Sequence, residues 1–289
     1  MIDIGWFGIG SGAYADPEGV IELCVAAEDL GYESVWVGEH PVLIDPHESP
    51  SPLPPLSDLL DPVTVLSYAA ARTERIGLGT GVILLPLRNP LILAKQLASL
   101  DVLSKGRVLA GFGVGYVPGE NAAIGTDFTK RGRITDEYLD AMRTMWDDDQ
   151  PEYRGEFTNF GGIQSRPQPP RRLPIHMGGF SERALRRAVT KCEGWYGFFQ
   201  DLANTERVLG ELARITDEVG RPEHLGPLEI TVTPPGDVDA DTVAKFEALG
   251  VHRLVLLRDF GDMAGGPDVE KRGLFLRHME DTAKSLSIG

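Results

Sequence analysis

The sequence predicts an α/β protein built as a closed parallel (β/α)8 TIM barrel with insertions at its C-terminal rim. Three observations carry that reading. Short apolar runs alternate with amphipathic ones from end to end, eight of each. Capping side chains recur just before prolines, which gives the amphipathic runs defined starts. Two of the longest irregular segments follow apolar runs directly, on the side where such barrels place their sites. At 289 residues one barrel uses the whole chain, so 1–289 reads as a single domain. An open doubly wound sheet is the other architecture that the alternation allows.

The first strand is expected over 2–9. A helix follows from Pro17 with Asp16 as its cap; Val20, Leu23, Cys24, Ala27 and Leu30 recur at helical spacing, and Gly31 ends it. The second strand, 34–38, breaks into Glu39-His40 and then a proline-rich segment, 41–60, unsuited to regular structure. Asp61-Pro62 opens a helix over 63–73. Three glycines, Gly77, Gly79 and Gly81, punctuate the third strand, 76–84, and Asn89-Pro90 opens the helix over 91–103. The fourth strand, 107–113, runs into an irregular stretch, 114–132, followed by a helix over 133–146. The segment 147–173 holds a candidate hairpin at Gly155-Glu156-Phe157. The remaining strands fall at 174–177, 194–199, 228–232 and 253–257, and the remaining helices at 182–191, 205–219, 240–249 and 269–286.

Composition narrows the function classes. With 42% hydrophobic and 25% charged residues a large core is available. A net charge of −15 opposes nonspecific binding to nucleic acid or an anionic membrane, so an anionic ligand needs a local cradle of amides or arginines. Cys24 and Cys192 lack metal or redox spacing and read as small core residues in a reducing compartment. No signal-like run opens the chain, and no stretch reaches the ~18 apolar residues of a membrane span, so a cytoplasmic protein is expected.

Four places carry candidate chemistry. Glu39-His40 closes the second strand at the rim, where an imidazole can exchange hydrogen bonds near neutral pH; a solvated strand end is the equal alternative. The run Gly77-Leu78-Gly79-Thr80-Gly81-Val82 reads first as close barrel packing. Gly111-Phe112-Gly113-Val114-Gly115 lacks the last glycine of a dinucleotide fingerprint and reads as backbone left bare at the rim. Gly178-Gly179-Phe180-Ser181 precedes a helix with Arg183, Arg186 and Arg187 and forms a candidate anion cradle. The histidines show no metal spacing, Ser11 and Ser181 sit in no nucleophile elbow, and Trp6, Phe7, Trp195, Tyr196, Phe198 and Phe199 read as core.

Over nearly its whole length the chain resembles the luciferase-like monooxygenase superfamily, and within it the actinobacterial branch that uses the deazaflavin coenzyme F420. The resemblance rests on SVWVGEH, IGLGTGVILLPLRNPLILAKQLASLDVLSKGRVLAGFGVGY, KRGRITDEYLDAMRTMW, SRPQPP and PIHMGGFSERALRRAVTKCEGW. It implies a bacterial-luciferase-like barrel and a homodimer. Glu39 and His40 would be the acid–histidine pair at the reactive face of the ring, His40 handling the proton and Glu39 setting its hydrogen bonding. Thr80, Gly81 and Val82 would form the bulge behind the ring, where relatives carry a cis peptide. Gly113 and Gly115 would open the rim to the ring, Tyr116 would lie over the substrate, and Gly178, Gly179 and Ser181 would cradle the phosphate. Most relatives have Asp where this chain has Glu39. The sugar-phosphate dehydrogenases of the branch carry a Trp and a Glu where this chain has Ile44 and Tyr116, which argues against glucose 6-phosphate. The implied activity is hydride exchange between F420 and a small organic molecule; an FMN-dependent monooxygenase and a noncatalytic F420- or flavin-binding protein are the alternatives.

Overall fold

Strands β1 (Asp3–Phe7), β2 (Ser34–Val37), β3 (Gly77–Thr80), its short continuation β4 (Ile83–Leu84) and β5 (Val108–Gly113) form one side of a barrel. Next in the chain, β6 (Tyr153–Arg154) and β7 (Asn159–Phe160) make an antiparallel ribbon outside it. The ring is completed by β8 (Ile175–Gly178), β9 (Gly194–Phe198), β10 (Glu229–Thr233) and β11 (Arg253–Leu256). Barrel neighbours are all parallel; β1 pairs with both β2 and β11, and β3 with β5, so the sheet closes on itself. The computed structural model describes residues 2–288 and bears out the barrel over the open sheet.

Around the ring lie α1 (Pro17–Asp29), α2 (Pro62–Ala70), α3 (Pro90–Leu103), α4 (Pro118–Ile124), α5 (Arg131–Asp147), α6 (Glu182–Lys191), α7 (Leu202–Val219), α8 (Ala240–Ala248) and α9 (Val269–Leu286). The predicted caps act as such: Asp16 accepts from the Gly19 amide at 2.6 Å, Asp61 from Thr64 at 2.9 Å, and Asn89 from Leu91 and Ile92 at 3.0 and 3.1 Å. Helix α7 starts before the predicted 205 because Asp201 accepts from the Asn204 amide at 2.8 Å. Helix α4 lies inside the stretch expected to be irregular, with Pro118 at its first position and Gly125 ending it at φ 84°. The ribbon β6–β7 turns at the predicted hairpin and is fixed to α5, whose Glu137 accepts from the amides of Glu156, Phe157 and Thr158 at 2.8, 2.7 and 2.6 Å.

Strand periodicity decides what enters the lumen, since alternate residues point inward. Midway up, Trp36 stacks on Tyr196 at 5.2 Å with 10° between the rings. Such rings leave no room for a facing side chain: a Cβ on Gly79 would lie 2.3 Å from the Trp36 ring, and one on Gly194 2.1 Å from His176. The packing reading of Gly79 is therefore correct. Helices cover the outer faces, where Cys24 and Cys192 are buried; burial pushes both thiols up, Cys192 to about 12, so they are unreactive core residues. No helix among the described residues is long and apolar enough to cross a membrane.

The lower lumen holds a charge cluster. Arg253 donates to Glu33 at 2.8 and 3.1 Å, to Thr231 at 3.1 Å, and to Glu229. His176 Nε2 lies 3.3 Å from the same Glu229 carboxylate. Burial raises the Glu229 pKa, but His176 and Arg253 outweigh it and hold the carboxyl at about 2. A carboxyl depressed in the folded state stabilises fully above its unfolded value of ~4.3 and loses that contribution as pH falls toward about 2. Asp3, pushed up by burial and by Glu33, acts in the opposite sense. Thermal melts between pH 6 and pH 2 should therefore show Glu229→Gln losing less stability than the parent on acidification, by on the order of 1–3 kcal/mol. Equal acid losses would show that the cluster does not act through Glu229.

Candidate active site

The lumen is filled up to the last inward residues of its strands, and above them a cavity of about 600 Å³ opens at the C-terminal rim. Phe7, Gly81, Gly113, Gly178 and Phe198 lie among its walls. The proline loop contributes Pro52, Leu53 and Leu59, and the segment after β11 contributes Phe260 and Met263. These coverings are tied together. Asp58 N–H donates to Gly265 O at 2.8 Å, Gly12 N–H to Asp58 O at 2.9 Å, and Leu60 N–H to Gly10 O at 2.9 Å. The loop expected to cover a site does line one, held to the chain beyond β1 and β11.

One wall is almost bare backbone. The Gly81–Val82 peptide, between β3 and β4, is cis, as the resemblance implies. A Cβ on Gly113 would fall 2.7 Å from Val82 Cγ2, and one on Gly178 3.2 Å from Cγ1, so both glycines make way for that valine. Gly115 and Gly179 have φ of 75° and 111°, backbone that other residues rarely adopt. Gly81, Val82, Gly113, Gly115, Gly178 and Gly179 all line the cavity. Thr80 does not: it is buried, its hydroxyl donating to Gly111 O and accepting from Gly111 N–H, both at 2.8 Å. The expected Thr80 contact with a coenzyme is thus replaced by a strand-to-strand tie. Ser181 sits exposed at the mouth as the N-cap of α6, accepting from the Ala184 amide at 3.3 Å.

The acid–histidine pair is not a pair. Glu39, 5% exposed, accepts from Leu84 N–H at 2.7 Å and from Arg88, which also donates to Asp61, the cap of α2. Burial pushes the Glu39 carboxyl up, against the pull of Arg88 and the Leu84 amide. His40 turns instead to Glu120 of α4: its Nδ1 lies 2.8 Å from Glu120 Oε1. Glu120 is 1% exposed, and its other oxygen, Oε2, is buried without a partner. A carboxylate only accepts, so with Glu120 ionised Nδ1 carries the proton and Nε2 of the neutral ring is left as an acceptor. Tyr116 meets His40 edge-on at 5.8 Å, and its phenol is pushed up to about 12 by burial and by Glu120. Sequence reading overlooked Glu120 because it lies on the helix that went unrecognised, PGENAAI bounded by proline and glycine.

Core assignments also need revision. Trp6, Phe7, Trp195 and Tyr196 are buried core, Phe7 and Tyr196 bordering the cavity as well, whereas Phe198 and Phe199, at the end of β9 and just beyond it, are partly exposed and line the cavity. Phe199 has φ 54°, a conformation costing on the order of 1 kcal/mol for a residue with a Cβ. It is held there by Gln200, whose side-chain amide donates to Phe198 O and Phe199 O at 3.0 and 2.9 Å.

A family model described as luciferase-like monooxygenase matches residues 6–250. An uncharacterized protein of Mycobacterium tuberculosis, Rv0940c, is 30% identical over 277 residues, 92% of this chain and 93% of that one. Among solved structures, an F420-dependent secondary alcohol dehydrogenase, in complex with an F420-acetone adduct, superposes with a TM-score of 0.77 at 16% identity, covering 99% of this chain and 98% of that one. Monooxygenase RslO1 from Streptomyces bottropensis superposes with a TM-score of 0.75 at 21% identity, covering 99% of both chains. At these identities the two structures share the fold.

Two outcomes follow from the geometry. Arg88→Met should destabilise the protein by about 3–5 kcal/mol at pH 8 by stranding the Glu39 charge; the loss should shrink as pH falls and Glu39 protonates, and Glu39→Gln in the same chain should recover most of it. Denaturant titrations at pH 8 and pH 5.5 check this. In ¹⁵N-histidine spectra the neutral His40 ring should carry its proton on Nδ1, and Glu120→Ala should move the population toward the Nε2-protonated tautomer. An unchanged tautomer would mean that Glu120 does not orient the ring.

Proposed function

This chain belongs to the luciferase-like monooxygenase family, and we propose from that premise that it is an F420-dependent oxidoreductase acting on a small organic molecule. The observation that carries the reading is the meeting, in one cavity, of a wall bare of side chains except Val82 with a histidine whose Nδ1 is held by a buried carboxylate. The first offers a flat ring close approach; the second leaves one polar nitrogen beside it. The likeness of fold to an F420-dependent dehydrogenase supports the choice of coenzyme.

The donor set fits such a group. Gly81, Val82, Gly113 and Gly115 would hold the ring, and Gly178, Gly179, Ser181 and the first amides of α6 would hold the phosphate, where a helix N-terminus favours an anion. Of the three arginines on α6, Arg187 pairs with Asp136 and Arg186 with Glu182 and Glu218, whereas exposed Arg183 on the first turn makes no ion pair among the described residues. It is available to the anionic tail. When bound, the deazaflavin supplies hydride chemistry at C5. The protein holds the reacting carbon against the ring, and His40 Nε2 accepts or returns the proton of the reacting group, with Glu120 fixing the ring that does so.

Fluorescence titration tests this. Oxidised F420 should bind more tightly than FMN, and Arg183→Glu should weaken F420 about fivefold or more while leaving its dephosphorylated chromophore little affected. Tighter binding of FMN together with oxygen uptake on reduction would replace this reading by a flavin monooxygenase. Binding of neither would remove it.

A further inference from the structure

The cavity walls also carry information about charge. Its ionisable lining is Glu39, His40, Tyr116 and Tyr196, with no lysine or arginine among them. Nearby guanidinium groups are committed elsewhere. Arg88 serves Glu39 and Asp61, Arg131 donates to Gly115 O and Phe128 O at 3.1 and 2.7 Å, and Arg258 pairs with Asp262 at 2.7 Å. Buried carboxylates of Glu39 and Glu120 lie at or beside the wall. An anionic substrate entering here would meet no lysine or arginine in the lining, only Glu39 already paired with Arg88 and the Glu120 carboxylate behind His40, in a chain whose net charge is −15.

Opposite in character is the end under the two covering segments. Phe198 and Phe199 meet edge to face at 4.6 Å, Phe199 and Phe260 at 5.7 Å, and Phe198 and Phe260 at 6.2 Å. Leu53 and Met263 complete that end. The hydrogen bond between Asp58 N–H and Gly265 O keeps both coverings in register, and the hold on Phe199 by Gln200 fixes the middle ring. This is a built hydrocarbon wall.

We propose that the substrate is an uncharged, largely apolar molecule with a ring or comparable hydrocarbon part and no phosphate or carboxylate, carrying one polar group that reaches His40. The inference deepens the functional reading and rests on the cavity being its substrate site. It holds wherever the coenzyme ring lies, because no part of the lining supplies a lysine or an arginine. The hydrocarbon part gains from leaving water, and the single polar group is matched by the one side-chain nitrogen left open to it.

A matched pair of probes decides the matter: naphthalen-2-ylmethanol and naphthalene-2-carboxylate, alike in ring and different in charge. Calorimetric titration of the full chain, with and without oxidised F420, should give the alcohol at least about tenfold tighter binding. Phe260→Lys, which places a cation on the wall, should shift the ratio about tenfold or more toward the carboxylate, whereas Phe260→Leu should leave the alcohol preferred. Equal or tighter binding of the carboxylate to the parent chain overturns the proposal, and so does failure of both probes to bind at millimolar concentration. A chain that bound no F420 yet preferred the alcohol would lose the coenzyme reading and keep this one. One that bound F420 and preferred the carboxylate would do the reverse.

Discussion

A closed ring of strands leaves one lumen, and the inward half of every strand must settle what fills it. The lower part is closed by Arg253 between Glu33 and Glu229, the middle by the Trp36–Tyr196 stack. Trp36 dictates glycine at position 79, and His176 below it dictates glycine at 194, without reference to any ligand. Higher up the same residue type has a different consequence. Gly81, Gly113 and Gly178 stand where the lumen ends, and there bare backbone faces a cavity. Packing demands glycine there too, against Val82, Phe7 and Tyr196, so height along the strand decides only whether the bare backbone also lines the cavity.

Above the lumen, arginines act as struts between elements. Arg88 joins the end of β2, through Glu39, to the cap of α2, through Asp61, while the Leu84 amide brings β4 to the same carboxylate. With Glu39 held by Arg88 and the Leu84 amide, the next residue is presented toward α4, and His40 meets Glu120. The acid beside the histidine in sequence thus positions the chain, and the acid far from it in sequence positions the imidazole. The Glu39 carboxylate reaches the Leu84 amide and Arg88 and leaves His40 to another partner.

What the sequence disclosed follows from which signals are local. Hydrophobic period and, for three helices, Asp-Pro or Asn-Pro starts gave the eight units with limits within about three residues, because caps and periodicity act within a few residues. The nine candidate site residues that line the cavity lie at strand ends or just beyond, positions that a barrel's polarity makes readable. Thr80 does not line the cavity because strand alternation, with Gly79 and Gly81 inward, turns its side chain away from the lumen and onto Gly111. Phe198 and Phe199 were misread because an aromatic on a strand can cap a lumen as well as fill it. Glu120 needed a contact 80 residues away in the chain, on a helix of one or two turns whose proline and glycine boundaries were its sole local mark.

The distribution of charge around the cavity has a physical logic of its own. An ion bound in the enclosed interior would need a partner there, since low dielectric strengthens every uncompensated charge. At the mouth the requirement is milder: the amides at the start of α6 and exposed Arg183 can serve an anion that water also screens. The chain keeps cations out of the interior lining and arranges the anion-friendly groups at the rim. A ligand that is charged at one end and flat at the other suits such a site, its charge left in solvent and its ring against Val82. What shares the cavity with it must then be recognised by shape, by hydrocarbon contact and by the one nitrogen that Glu120 leaves free.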